Sequence, residues 1–450
     1  MSRIRIIITI IVVVLTTLLT GCTGKEPNEI AYVVALGIDS TDDDNYKITI
    51  QYANTTQISG GASESGGKAG SEIVDNVTIE APNIYAGVGL ANNIVSKSFS
   101  MSHAKLIVFS KEIAEKGVKD MIETLVRSEE IRPDVFIAVA NTTANDYLTS
   151  VNPEMEVNPA QYYQLIYQKN QLVGIPDGQL REFFTGLYTD NYDSILPVAG
   201  VIEGSGSNRQ NDDKGQSKDG QNEGSEGSSE SLDSFESKSS DDKDENEKEK
   251  DAEKNTSKYE YDIKNYVGGE TAIEKKNKAE AIGAAVFEKD KMVGELGEVE
   301  TEICKILKGD YTYSYLTYYN NDTPDIPITV KTTQQKKPKY KIDTDKKTVD
   351  IELYIESDLY SLPADYNVEN KIEDFERDVA NYTSSACTEF INNFTKKYNS
   401  DILKLNEKVK YKFLTNNQYN WFKKNVGWSE YKFSVCTNFK VRRTGLIVRE

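Results

Sequence analysis

The sequence predicts a multi-domain α+β protein: a mixed α/β N-terminal region, then a C-terminal antiparallel sheet packed with a long helix, the two separated by a disordered linker. Three observations predict it. Apolar strand-like runs alternate with amphipathic helical stretches as far as about Gly200. Beyond residue 276 the runs instead follow one another as consecutive strands before one long helix. Between them, from Glu203 to Lys258, only Leu232, Phe235 and Ala252 are apolar. Such a stretch cannot bury enough surface to offset the entropy of ordering it. The predicted divisions are 1–21, an export signal; 22–200, the first domain; 201–275, the linker; and 276–450, the second domain.

The chain opens on Arg3 and Arg5, continues through the apolar or Thr-containing run Ile6–Leu19, and reaches Leu19-Thr20-Gly21 just ahead of Cys22. A positive start, a short apolar core and small residues make a bacterial export signal. The run is shorter than the roughly 20 residues that span a bilayer as a helix. A small residue followed by cysteine resembles the lipobox of bacterial lipoproteins, where the thiol receives a diacylglyceryl group and becomes the first mature residue. Cys22 is therefore read as a lipidation site and membrane tether. Two acyl chains at ~0.8 kcal/mol per methylene hold a protein on a membrane where one chain does not. No later segment is apolar enough to cross a bilayer.

In the first domain, IAYVVALGID and YKITIQYAN flank the turn TDDDN as a hairpin. VTIEAP reads as a strand and NIYAGVGLANNIVSK as a helix; HAKLIVFS is a strand. Ser110 then caps one helix, KEIAEKGVKDMIETLVRS, with Ile113, Val118, Met121, Ile122 and Leu125 on one face. DVFIAVAN is a further strand, and short helices fill Asp146–Gly186. Ser59–Ser71 reads as a mobile loop; its Gly66-Gly67-Lys68 is no phosphate loop, since Ala69 follows and no strand leads into it.

In the second domain, AIGAAVFEKDKMVGEL is a hairpin turning near Lys289-Asp290, followed by a helix from Glu298 to Leu307. Strands are predicted at 313–319, 326–332 and 348–355. Ile372, Phe375, Val379, Tyr382, Ala386, Phe390, Ile391 and Phe394 recur by threes and fours, a helix about 40 Å long at ~1.5 Å per residue. A short helix at 401–408 and the closing strand YKFSVCTNFKV complete the domain.

The sequence offers little chemistry. Net charge is −19, and removing the signal leaves 51 basic against 72 acidic residues, or −21. Such a surface excludes nucleic acid and anionic headgroups as general partners. The one histidine, His103, has no nucleophile elbow to serve and reads as a structural hydrogen-bonding residue. Glu295, Glu298, Glu300 and Glu302 suit the start of a helix better than a calcium site or an acid/base pair. Cys304, Cys387 and Cys436 show no zinc spacing, leaving buried thiols or one disulfide. The basic stretch Lys331–Lys347, with Lys336, Lys337 and Lys339, has two equal readings, a face for a membrane partner or a guard on a sheet edge. Trp421 and Trp428, among Tyr419, Phe422, Tyr431 and Phe433, read as core, with a partner groove as the other reading. These three lysines and two tryptophans are the candidate partner contacts. No catalytic residue, metal site or cofactor is predicted beyond the covalent diacylglyceryl lipid on Cys22.

Taken in order, these landmarks resemble the Ger(x)C family, the lipoprotein C subunits of spore germinant receptors. The likeness is carried by Gly21-Cys22, NEIAYVVALGID, SHAKLIVFSKEIAEKG, RSEEIRPDVFIAVAN, Ser194–Pro197, GAAVFEKDKMVGELGEVET, the two tryptophans and Thr444-Gly445. Thr23 stands where the family often has Trp after the cysteine, and Glu302-Ile303 where it has Arg-Gly, which marks a divergent member. The resemblance implies a non-enzymatic lipoprotein on the outer face of the inner spore membrane. Its implied partners are the integral membrane A and B subunits of the receptor. A solute-binding lipoprotein of an ABC importer shares signal and size but should have two similar α/β lobes. An exported cell-wall hydrolase lacks a catalytic constellation here.

Overall fold

The computed structural model describes residues 3–9, 29–43, 45–54, 74–153, 156, 158–168, 174–189, 191–202, 265–271, 277–319, 327–361 and 371–444. Cys22, the Ser59–Ser71 loop and nearly all of the 201–275 linker lie outside them.

The first strand, β1 (Ile30–Ser40), is almost wholly buried and organises a nine-stranded mixed sheet. On one side it pairs antiparallel with β2 (Tyr46–Ala53), which pairs antiparallel with β3 (Val74–Ala81). On the other side β5 (Leu106–Ser110), β6 (Phe136–Ala140) and β7 (Ile195–Val201) run parallel to it, and the short β4 (Ser98–Ser100) pairs with its first residues. The sheet ends in the hairpin β8 (Ala279–Glu288) and β9 (Lys291–Leu296), so residues from beyond the linker complete a sheet begun before it. Every residue of β5 and β6 is buried, as parallel strands covered on both faces require.

Helices supply the covers. Over one face lie α1 (Ile84–Ala91), α2 (Lys111–Lys116), α3 (Lys119–Val126) and, further along the chain, α6 (Leu180–Thr189). Over the other lie α4 (Ala144–Ser150) and α5 (Pro159–Gln168), which bury Tyr147, Tyr162, Tyr163 and Tyr167. Asp39, at the end of β1, aims its carboxylate at the start of α4 and accepts from the amides of Ala144 (2.6 Å) and Asn145 (3.0 Å). The single helix expected after Ser110 is two. Gly117 breaks it at φ 124°, where a β-carbon would lie 2.7 Å from the Asp290 carboxylate, and the Val118 amide bonds to the Asp290 carbonyl. Ser110 caps α2 as expected, accepting from the Ile113 amide at 3.4 Å.

After α7 (Glu298–Lys308) comes a five-stranded sheet: β10 (Tyr313–Tyr319), β11 (Pro327–Gln334), β12 (Lys339–Asp343), β13 (Thr348–Ser361) and β14 (Lys432–Arg443). The long β13 is central; β11 pairs with its second half, β12 with its first, and β10 with β11, all antiparallel. The sheet is mainly antiparallel, as expected; the exception is β14, which runs parallel to β13. The intervening chain carries α8 (Ile372–Tyr398), α9 (Leu405–Val409) and α10 (Asn416–Asn425), and this long crossover returns the strand in the same direction. This half is no second copy of the first α/β layer, which departs from the two-lobed importer design.

The 27-residue α8 packs against β14 and closes that edge of the sheet. Beside its buried stripe of Val379, Thr383, Cys387, Phe390, Ile391 and Phe394 runs a polar one, Glu376, Ser384, Thr388 and Asn392. Those side chains accept from the β14 amides of Val441 (2.8 Å), Thr437 (2.9 Å), Val435 (3.0 Å) and Phe433 (3.1 Å), and Asn392 also donates to the Phe433 carbonyl (3.0 Å). Strand backbone that would otherwise invite a foreign strand is satisfied by a helix.

Candidate interaction surface

His103 lies in the loop before β5, its Nδ1 3.0 Å from Ser102 Oγ and its ring edge-on to Tyr32 at 4.8 Å. The four glutamates around α7 have four different surroundings. Glu295 pairs with Lys111 (2.9 Å); Glu300, at the third position of the helix, accepts from the Gly297 amide (3.0 Å); Glu298 packs on Gly174; burial pushes Glu302 up to about 7. Among the described residues no group of three or more His, Cys, Asp or Glu is placed to hold a metal ion. Cys304, Cys387 and Cys436 are unbonded to one another; burial pushes the Cys304 thiol up to about 11 and Cys387 to about 12.

A polar cleft of about 350 Å³ opens where α6 and the start of β7 meet α7 and α9. Its charges are largely matched within the protein. Lys404 pairs with Glu182 at 3.0 Å and sits 4.2 Å over the Tyr192 ring, while the Tyr192 hydroxyl donates to the Glu182 carbonyl (2.9 Å). Burial raises Asp177, Glu182 raises it further and Lys308 opposes. At the cleft wall the Asp193 carboxylate accepts from the Asp401 amide (2.9 Å), and the Asp193 amide donates to the Asp401 carbonyl (3.1 Å). These bonds tie the first sheet to the segment before α9.

The candidate partner contacts divide into three groups. Lys336, Lys337 and Lys339 are exposed at the β11–β12 turn. Lys336 and Lys339 lie 5.2 and 4.9 Å over the Tyr354 ring, and Lys339 also donates to its hydroxyl (2.7 Å) and faces Glu352 (3.6 Å). Trp421 points outward from α10, 64% exposed. Trp428 is 3% exposed; its Nε1 donates to Asn406 (3.1 Å) and its ring lies against Phe422 and Tyr431. As a contact Trp428 is therefore corrected: it is the aromatic core over which α10 is laid. Sequence reading missed two other exposed residues of the same stretch, Tyr411 at 79% and Leu414 at 95% exposed; Lys410 adjoins Tyr411 in the chain and Lys424 lies one helical turn beyond Trp421. Their signal was available, because Lys408–Lys424 holds five lysines and no acid in a chain of net charge −19.

Comparison with known proteins gives these surfaces a setting. A model described as the spore germination protein N-terminal domain matches residues 24–201, and one described as spore germination B3/GerAC-like, C-terminal, matches residues 282–445. Spore germination protein KC of Bacillus subtilis (strain 168) is 26% identical over 176 residues, covering 36% of this chain and 43% of that protein. Spore germination protein B3 of the same organism is 26% identical over 148 residues, 31% of this chain and 36% of that protein. The chain thus spans less than half the length of these curated relatives. The crystal structure of the GerBC protein aligns with TM-score 0.48 at 15% identity, over 90% of this chain and 96% of that one. With both domain models matched in order over most of its length, the chain belongs to the GerAC-like family of spore germination proteins.

Proposed function

We propose that this chain is a non-catalytic, lipid-anchored subunit of a nutrient germinant receptor. It sits on the outer face of the inner spore membrane, assembles there with the integral A and B subunits, and supports assembly or signal coupling. The observation that carries this reading is Gly21-Cys22 at the foot of a short apolar run, in a chain whose domains match spore germination proteins. Among the described residues no helix is long and apolar enough to cross a membrane, so the proposed hold on the bilayer is the lipid.

The tether also fixes distance. Eight chain steps lead from Cys22 to Ile30, the start of β1, and at no more than ~3.5 Å each they keep that strand within about 28 Å of the bilayer. Confinement to so thin a layer raises the effective concentration of the body toward membrane-embedded partners without requiring a tight binary interface. Spores carrying Cys22→Ala in place of the parent chain test the reading. Expected are loss of the chain from the membrane fraction, reduced receptor assembly and a weakened nutrient response. Normal nutrient germination with that variant contradicts it.

A further inference from the structure

We propose that the lysine-rich segment Lys408–Lys424 is a membrane-docking surface, its exposed Tyr411, Leu414 and Trp421 entering the interface of a bilayer that carries anionic lipid. The inference deepens the tethering reading by naming the face that meets the bilayer.

Two independent observations carry it. The first is composition and exposure together. Leu414 and Tyr411, nearly bare, flank Phe413, which is turned inward against Tyr419 and Phe422. Leu414, Tyr411 and Lys410 border a hollow of about 520 Å³ whose one lining carboxylate is Glu407. Helix α10 buries Tyr419 and Phe422 and leaves Trp421 and Lys424 on the side away from them. A leucine left so exposed forgoes the free energy of burial within the fold, and apolar residues rimmed by cations are what an interfacial surface requires. Tyrosine and tryptophan suit the headgroup level, where the ring is sheltered and the polar edge stays wet. Lys408, Lys412 and Lys423 donate to the carbonyls of Leu403, Ile342 and Thr189, and the exposed Lys410 and Lys424 are the cations beside Tyr411 and Trp421 that favour an anionic bilayer, which the rest of this acidic chain would repel.

The second observation is topological. Ile38, Phe109, Val139 and Val198 stand at one level across the parallel strands β1, β5, β6 and β7. Following β1 back toward its beginning leads to Ile30, from which the chain continues to Cys22. The non-strand stretch before Ile195, the start of β7, leads back to Asn191, whose Oδ1 accepts from Lys423 (3.1 Å) and from the Tyr419 hydroxyl (3.1 Å). Lys423 also donates to the Thr189 carbonyl (3.2 Å). The start of β1 and the Asn191 anchor of α10 therefore lie toward the same end of the sheet, three strand spacings apart, about 14 Å at ~4.8 Å each. A lipid on Cys22 draws toward the bilayer the end of the molecule at which α10, with Trp421, is held.

The protein holds two tryptophans, one outside and one in the core, which makes the test direct. The full lipidated chain is reconstituted on phosphatidylcholine vesicles with or without phosphatidylglycerol, some with brominated acyl chains. Trp421 emission is taken as the difference between the parent chain and Trp421→Phe. Expected on phosphatidylglycerol vesicles are quenching of Trp421 by brominated lipid and protection from aqueous iodide. Lys410→Glu with Lys424→Glu should weaken that docking on the order of tenfold while the chain still floats with the vesicles. Trp421 open to iodide and untouched by brominated lipid, on a chain that still floats, overturns the docking surface and leaves the lipid anchor standing. A chain that does not float fails both readings. Shielding of Trp421 that requires added integral membrane proteins assigns the face to a protein partner and also overturns the proposal.

Discussion

Asn392→Ala removes the side chain that both accepts from and donates to Phe433, at 3.1 and 3.0 Å, where α8 closes the free edge of β14. Each bond is worth about 1 kcal/mol net. The Phe433 amide and carbonyl then face a gap beneath the helix, and water reaches them only in part. A loss of about 2–3 kcal/mol follows. In a unit of this size a loss of 1 kcal/mol moves the melting temperature by roughly 2 °C, so a fall of about 4–6 °C is expected. Asn392→Asp is the sharper control: one oxygen still accepts from the Phe433 amide, but the other replaces a donor with charge facing the Phe433 carbonyl, so it should be no better than alanine. Urea denaturation followed by far-UV circular dichroism reads both. A change below about 0.5 kcal/mol in both variants would refute the edge-capping argument.

Further outcomes follow from the same geometry. Replacing Ser384, Thr388 and Asn392 together by Ala, Val and Ala frees three β14 amides, and sedimentation should show self-association rising with concentration; a triple variant that sediments like the parent speaks against edge protection. Trp428→Ala should cost about 3–5 kcal/mol and Trp421→Ala stay within about 0.5, so similar losses would mean that their burial is misassigned. For Glu302, burial raises the folded-state value to about 7, above the ordinary glutamate, with Glu298 adding and Ser314 and Lys305 opposing. Its contribution is therefore full below the unfolded value near pH 4.5 and is lost as pH rises to about 7, at no more than about 1.4 kcal/mol per pH unit. Glu302→Gln should gain stability relative to the parent between pH 5 and pH 8, and parallel melting curves across that range would contradict it.

How much of this was legible depended on how much burial pattern each segment carries. The 372–398 helix announces itself because its apolar residues recur by threes and fours over seven turns, and β14 because every second residue from Phe433 to Phe439 is buried. Strand β12 is not legible: in KYKID only Tyr340 and Ile342 are apolar, and five residues hold too short an alternation to mark a strand. Helix α10, NNQYNWFKKN, has poor intrinsic propensity and exists because Tyr419 and Phe422 find a core and Thr415 caps it, accepting from the Gln418 amide. Without that helix the phase that turns Trp421 outward is unknowable, so the two tryptophans looked equivalent. The break at Gly117 was hidden because the apolar period runs on through it, and the cause is the distant Asp290. Cys22 is the opposite case, read entirely from the small residues and apolar run before it.

The proposed lipidation of Cys22 is tested most directly by mass spectrometry of the N-terminal peptide from the native spore membrane. A peptide beginning at Cys22 with a diacylglyceryl thioether is the expected species. An unmodified Cys22 in a chain that mild buffer extracts from the membrane would contradict it.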